Sequence, residues 1–258
     1  MNIESGTIFV IDNKNKYQEE NEKRRVGDRG DKSTSRKGIA FDGIHRQILS
    51  EQEGRNLGGE RNVEASTFLR RNGEANAGKQ QENLVKWAKE KGCFYDKEKH
   101  EELIQLLPKN IRDLPEKHPA GTESKVYPNK DSQRVIKVTD YTIFSVNPLE
   151  FLDNRITRHN MIFPQTAYTL LGIMSYDNIF RFVTEQPFIE GKNPTRKEIN
   201  KNLEEMGFKK GLLSSQYYME LRNGKYLKVT DARMKNFLKD ENGEIFCIDP
   251  VIKETDYI

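Results

Sequence analysis

Cysteine is nearly missing: Cys93 and Cys247 are the only two in 258 residues, far apart and in unlike surroundings. A disulfide framework or a cysteine zinc site is therefore not expected, and a reducing cytoplasm suits the chain. No run of about 18 apolar residues occurs, so no segment is expected to cross a membrane. Residues 1–16 hold one short apolar patch, Ile8-Phe9-Val10-Ile11, without the basic lead of a secretion signal. Neither sign of charge prevails: 43 Lys and Arg face 40 Asp and Glu, for a net +3, too slight to argue alone for nucleic acid. Apolar residues are also scarce, at 34% against 32% charged, so part of the chain is expected to bury little.

That part is the beginning. From about 14 to 61 the sequence is charge, Gly, Ser, Asn and Gln, which cannot recover its conformational entropy by packing. Residues 1–79 are expected to be disordered or loosely structured, and 1–75 dispensable for the fold of the rest. The clusters Lys23-Arg24-Arg25 and Arg70-Arg71 offer a weak nucleic-acid contact, with a solvated tail the favoured reading. From 80 a helical period appears, with Leu84, Val85, Trp87 and Ala88 on one face and Gly92 as a stop. Trp87, the one tryptophan, reads as an anchor for this helix. A second helix is expected over 97–107.

Beyond Pro119 the texture changes to short strands at 125–127 and 134–138, a helix starting at Pro148 with Leu149, Leu152, Ile156 and Phe163 as its apolar stripe, and strands at 167–174 and 180–184. Thr195 and Glu198 fit a capping box for a helix that buries Ile199, Leu203 and Met206 and closes at Gly207. A polar loop then leads to a terminal hairpin, 237–239 and 245–248, around Asn242-Gly243. The order implies a mixed α+β domain with an antiparallel sheet.

Three motifs carry chemistry. In Gly121-Thr122-Glu123-Ser124-Lys125-Val126-Tyr127 a glycine between strands lets the backbone approach phosphate oxygens, and Lys137 in Val135-Ile136-Lys137-Val138 sits on a buried strand suited to pairing with them. Asp231 and Asn236 form an Asp-x-x-x-x-Asn loop: a carboxylate to orient and deprotonate a hydroxyl, and an amide oxygen for a metal ion. Asp249, in Ile248-Asp249-Pro250, is a hard-oxygen ligand suited to Mg²⁺. Singly each motif is weak. Together, a hairpin running from Asn236 back to Asp249 returns the second carboxylate beside the loop, with Lys137 upstream.

These residues also resemble a known family. The strings GTESKVY, VIKV, PLEFLDNRITRHNMIFPQTAYTLLGI, FVTEQPFIEG and DARMKNFLKDENGEIFCIDPVI look like the kinase domain of polyvalent proteins of phages, plasmids and conjugative elements, over about 80–252. The resemblance implies a two-lobed, protein-kinase-like α+β fold with an antiparallel N-lobe sheet. Its expected parts are a helical lead-in at 80–118, an N-lobe at 119–189 and a minimal C-lobe at 190–258. It implies ATP and Mg²⁺ as cofactors, and Glu185-Gln186-Pro187 as the hinge that meets adenine. The expected reaction is phosphoryl transfer to a hydroxyl of an unidentified acceptor, a protein before a small molecule. A pseudokinase, or a nucleotide-holding interaction module of a mobile element, is the alternative. Lys137 would be the phosphate clamp, Asp231 the base, and Asn236 and Asp249 the metal ligands. Arg233 stands where a lysine usually neutralises the γ-phosphate. The carboxylate holding Lys137 is expected to be Glu150, with Asp153 as the other choice. His159 reads as structural. Pro250 replaces the usual Phe-Gly, and nine residues follow Asp249, so no activation segment is expected.

Overall fold

The computed structural model describes residues 60–73, 76–105, 124–129, 134–143, 145–176 and 179–256. Gly121 and the basic cluster at 23–25 lie outside them.

Low apolar content did not prevent an early helix. Helix α1 (Glu60–Asn72) buries Asn62, Ala65, Ser66 and Leu69, one stripe at spacings of three and four. Its acidic first turn and basic last turn complement the helix dipole. The segment expected to be disordered or loosely structured through residue 79 thus holds a packed helix at this stretch. The stripe carries one large apolar residue, which is why composition hid it. Helix α2 (Ala77–Glu90) is capped by Asn76, whose side chain accepts from the Lys79 N–H at 3.2 Å, and it buries Leu84, Trp87 and Ala88. Gly92, at φ 64°, ends it in a conformation that an L side chain adopts at a cost. Trp87 is 3% exposed, an anchor as expected.

The chain then adds β1 (Phe94–Tyr95), α3 (Lys97–Ile104), β2 (Ser124–Asn129), β3 (Arg134–Thr139), β4 (Thr169–Tyr176) and β5 (Ile179–Pro187). The strands form a sheet in the order β1-β4-β5-β3-β2. Every pairing is antiparallel except β1 with β4, a parallel contact that the expected all-antiparallel sheet lacked. Gly172 makes that contact possible, since a Cβ there would lie 1.9 Å from the Cys93 carbonyl oxygen. The four strands expected in this part are present, shifted or lengthened by a few residues.

Between β3 and β4 runs a composite helix. It consists of α4 (Pro148–Phe151), a π-helical stretch (Leu152–Thr157) and α5 (Arg158–Ile162). Asn147 caps it, accepting from the Glu150 N–H at 2.9 Å, and Pro148 takes the first position. The π stretch was not expected; such stretches cluster at functional sites.

After β5, residues 188–194 cross to a second unit, where Lys192 pairs with Lys239 through both backbone hydrogen bonds. Helix α6 (Arg196–Glu205) has its full capping box of Thr195 and Glu198. Glu198 also accepts from Lys239 at 2.6 Å; that bond, with those from Thr195, lowers its pKa to about 2. The polar loop expected next is instead a sheet. Strands β6 (Lys209–Lys210), β7 (Tyr217–Glu220) and β8 (Tyr226–Thr230) join the terminal β11 (Val251–Thr255) in the order β11-β8-β7-β6. The hairpin β9 (Phe237–Lys239) and β10 (Ile245–Cys247) is as expected, with Gly243 at φ 84° in its turn.

Packing falls into separate cores. One, under the first sheet, joins Leu69, Leu84 and Trp87 to Phe151, Leu152, Ile156, Leu170 and Phe182. A small cluster of Leu103, Tyr127, Ile136, Val138, Met174 and Val183 covers the other face of that sheet. The third core gathers Ile199, Leu203, Phe208, Tyr217, Val229, Phe237 and Ile252. Met161 to Phe163, at the end of the composite helix, belong to this last core, so the helix ties the two units together.

Candidate active site

The site forms where these units meet. In β3, alternation turns Ile136 and Val138 to the outer cluster and Lys137 inward. Register pairs Lys137 with Val126 on β2 and Thr184 on β5, so the three share one face. Lys137 is 6% exposed, while Val126, beside it, is 44% exposed and leaves apolar surface uncovered. The Lys137 ammonium donates to the Tyr168 hydroxyl at 3.0 Å and the Ile248 carbonyl at 3.1 Å, and lies 3.5 Å from Asp249 Oδ1.

The β9–β10 hairpin brings the other motifs together. Cys247 pairs with Phe237, and the Ile248 N–H donates to the Asn236 carbonyl at 2.9 Å, so Asp249 emerges beside the loop that begins at Asp231. Asp231 has φ 55°, the one non-glycine residue at positive φ among those described. That conformation is uncommon, and Asp adopts it more readily than most residues. Two donors hold its carbonyl: the Arg233 N–H and Asn236 Nδ2, each at 2.7 Å. Asn236 Nδ2 also reaches Asp231 Oδ2 at 2.8 Å, while Arg233 Nε sits 2.5 Å from Oδ1. One face of the Asn236 amide thus braces the aspartate, leaving its Oδ1 without a donor among the described residues.

Asp249 is asymmetric in the same way. Oδ1 receives Arg155 Nη2 at 2.9 Å and the Tyr168 hydroxyl at 3.0 Å, with Lys137 at 3.5 Å. Oδ2 accepts no hydrogen bond from any described residue. Burial works to raise the Asp249 pKa, but the Lys137 and Arg155 charges outweigh it and hold the carboxyl well below its usual range. Two oxygens, Asp249 Oδ2 and Asn236 Oδ1, are left for a hard cation, the donor type that Mg²⁺ takes. No group of three or more His, Cys, Asp or Glu side chains among the described residues forms a metal cluster.

Not every expected residue joins this group. Glu150 faces away from Lys137: its carboxylate accepts from Lys253 and Val146 N–H, at 2.9 and 2.7 Å, and from Asn154 at 3.2 Å. Asp153, the other choice, pairs with Arg70 at 2.6 Å. A polar helix position gave no sign of which way it would turn. Glu185 pairs with Arg134 at 2.7 Å, and Gln186 is buried, donating to the Thr166 and Ile248 carbonyls at 2.7 and 3.2 Å. Both side chains are thus engaged within the fold, and Pro187 carries no N–H. His159 is structural: fully buried, it hydrogen-bonds through Nε2 to the Thr166 carbonyl at 2.9 Å, and burial drives its pKa down to about 3.

Two residues were missed. Tyr168 joins Lys137, Ile248 and Asp249, and Arg155, 5% exposed, binds both Asp249 and the Pro250 carbonyl. A signal for Arg155 existed: it lies three residues after Leu152 and four before His159, on the stripe that is buried. A cleft of about 860 Å³ opens beside Asp231, between Ser145, Ser215, Thr230, Arg233 and Lys253.

The chain thus brings a buried strand lysine onto an aspartate that follows an Asp-x-x-x-x-Asn loop and a hairpin, groups able to meet phosphate and metal. The chain belongs to the family described as Serine/Threonine/Tyrosine Kinase found in polyvalent proteins, whose model matches residues 77–256. The match opens at the first residue of α2 and leaves α1 outside. No curated protein and no solved structure matches the chain. No helix among the described residues is long and apolar enough to cross a membrane.

Proposed function

We propose that this chain transfers the terminal phosphoryl group of ATP, with Mg²⁺, to a hydroxyl acceptor on a protein. The observation that carries the reading is the convergence of Lys137, Asp249 and the Asp231–Asn236 loop, each from a different element, with a donor-free oxygen left on both expected metal ligands. The separate cores support an N-lobe at 119–189 and a C-lobe at 190–258, with 80–118 as the lead-in. Asp249 and Asn236 would hold the metal, which neutralises developing charge on the phosphates. Lys137 would hold the α and β phosphates from the sheet, beneath the uncovered Val126 that suits the base. Asp231 would take the acceptor proton, braced by Asn236, and Arg233 would turn from Asp231 to the transferred group. The acceptor would enter by the cleft lined by Ser145, Ser215 and Lys253.

The test is incubation with γ-labelled ATP and Mg²⁺, with and without cell lysate as a source of acceptors. Wild type should label itself or an acceptor, and Asp231→Asn should not. Equal labelling by the two would sink the assignment. Metal-dependent nucleotide binding without labelling by either would favour the interaction module.

A further inference from the structure

The sheet β11-β8-β7-β6 turns one face into a core and keeps the other out of it. Alternation sends Tyr217, Met219, Leu227, Val229 and Ile252 inward, so Tyr218, Lys228 and Lys253 face the other way. Register sets these in one row: Lys209 opposes Tyr218, Tyr218 opposes Lys228, and Lys228 opposes Lys253. Three lysines and a tyrosine thus cross all four strands side by side. Like charges directly opposite each other destabilise a sheet. The fold offsets only part of this cost. Lys253 donates to Glu150 at 2.9 Å, and the Lys228 ammonium stands over the Tyr218 ring at 5.2 Å. No carboxylate among the described residues pairs with Lys228 or Lys209.

The row runs into the cleft beside Asp231. Lys228, Lys253 and Arg233 line it against the single carboxylate of Asp231. Ser145 lines it too; it is 7% exposed, and its hydroxyl has no hydrogen-bond partner among the described residues. Val146, the next residue, is 80% exposed in the same cleft.

We propose that this sheet face docks an acidic segment of another protein and leads its hydroxyl to Asp231. The docking stands on the lysine row, and the delivery rests on the reading of Asp231 as the base. Carboxylates laid over Lys228 and Lys253 relieve the repulsion that the fold leaves in place. Lys228 lies three residues before Asp231, about 10 Å of strand, which an extended peptide covers in about three residues of its own. The segment that fits is therefore extended, with carboxylates about three residues from its hydroxyl, and one of its backbone groups satisfies Ser145. Glu150 at Lys253, and Glu220 farther along the same face of β7, repel the continuous charge of a nucleic-acid backbone. A peptide can place its carboxylates between them.

Fluorescence anisotropy with the full chain, without ATP, measures the docking. The probe is a labelled peptide with one serine and a glutamate three residues to either side. Counterparts carry glutamine or lysine in place of the glutamates, and a single-stranded oligodeoxynucleotide is the competing polyanion. Lys228→Glu sets an opposite charge against Lys253, so the sheet should keep its fold. Lys201→Glu makes the same change of net charge on α6. Wild type should bind the glutamate peptide about tenfold more tightly than the glutamine one, and the lysine peptide most weakly. That preference should vanish in Lys228→Glu and persist in Lys201→Glu. Equal binding of the glutamate and glutamine peptides by wild type overturns the proposal, as does an equal loss in the two variants. An oligonucleotide that binds as tightly as the glutamate peptide, and is lost in Lys228→Glu, overturns the choice of a protein partner. Adding γ-labelled ATP and Mg²⁺ separates the two halves. Label on the serine of the glutamate peptide supports delivery, whereas selective binding without label keeps the docking face and removes Asp231 as the base.

Discussion

Replacing Lys137 by Met tests the enzyme reading most directly, and the structure sets both its cost and its effect. Were Lys137 a surface lysine, its loss would cost about 0.5 kcal/mol or less. It is in fact 6% exposed, with donors aimed at Tyr168 and the Ile248 carbonyl and an ion pair to Asp249. Each charged hydrogen bond contributes on the order of 1.5–3 kcal/mol. Against this, removing the ammonium relieves a desolvation penalty of several kcal/mol. Breaking a buried pair is most damaging when it strands the partner, and Asp249 keeps Arg155 and Tyr168. The Met side chain retains most of the apolar stem, so the net destabilisation should be about 1–2 kcal/mol, seen as a modest drop in a cooperative thermal melt. Transfer of label from γ-labelled ATP should fall by on the order of a hundredfold or more, because a preorganised charge at the phosphates is lost. A folded Lys137→Met protein with wild-type labelling would refute the reasoning. If instead the variant is unfolded, Lys137→Arg decides: a structural role would be restored by the charge, whereas a clamp matched to an ammonium would stay impaired.

Two further outcomes follow from packing and burial. Leu69→Ala should cost about 2–4 kcal/mol, since the residue is 2% exposed in the core with Leu84 and Trp87; a chain beginning at Ala77 should lose more, uncover Trp87 and show red-shifted fluorescence. A chain cut there that melts within a few degrees of full length would mean α1 is ornamental. His159, with an ordinary pKa near 6.5 lowered to about 3, takes up a proton more readily unfolded than folded. Its contribution is whole above about pH 6.5 and falls by about 1.4 kcal/mol per unit as pH drops toward 3. Denaturant melts at pH 7 and 5 should therefore differ by about 2 kcal/mol less in His159→Asn than in wild type; an equal difference removes this group as the cause.

What the sequence made legible was local. Asp231, Asn236 and Asp249 stand at fixed offsets around an Asn-Gly turn, and a hairpin is decided by its own residues, so the loop and its return strand could be read directly. Lys137 was legible because β-branched neighbours mark a buried strand. Partners across the fold were less so. Glu150 was expected to hold Lys137, but its carboxylate takes Lys253 and Asn154, and Arg155, from the π stretch, reaches Asp249 instead. The strands β7 and β8 were hidden among charged residues, although Tyr217 to Met219 and the Asn223-Gly224 turn, with Gly224 at φ 78°, marked a second hairpin. Helix α1 was hidden because three of its four buried positions are Asn, Ala and Ser.

The positive φ of Asp231 has a bearing on how such a site can decay. Its backbone conformation suits Gly, Asn and Asp, and of these only Asp carries a charge. Replacement by Ala removes the carboxylate and also strains the loop by about 1 kcal/mol, so it mixes two effects. Replacement by Asn keeps the turn and alters the chemistry alone. With Asp231 as the proposed base, a member of this family that has lost transfer but kept its fold should carry Asn or Gly at this position.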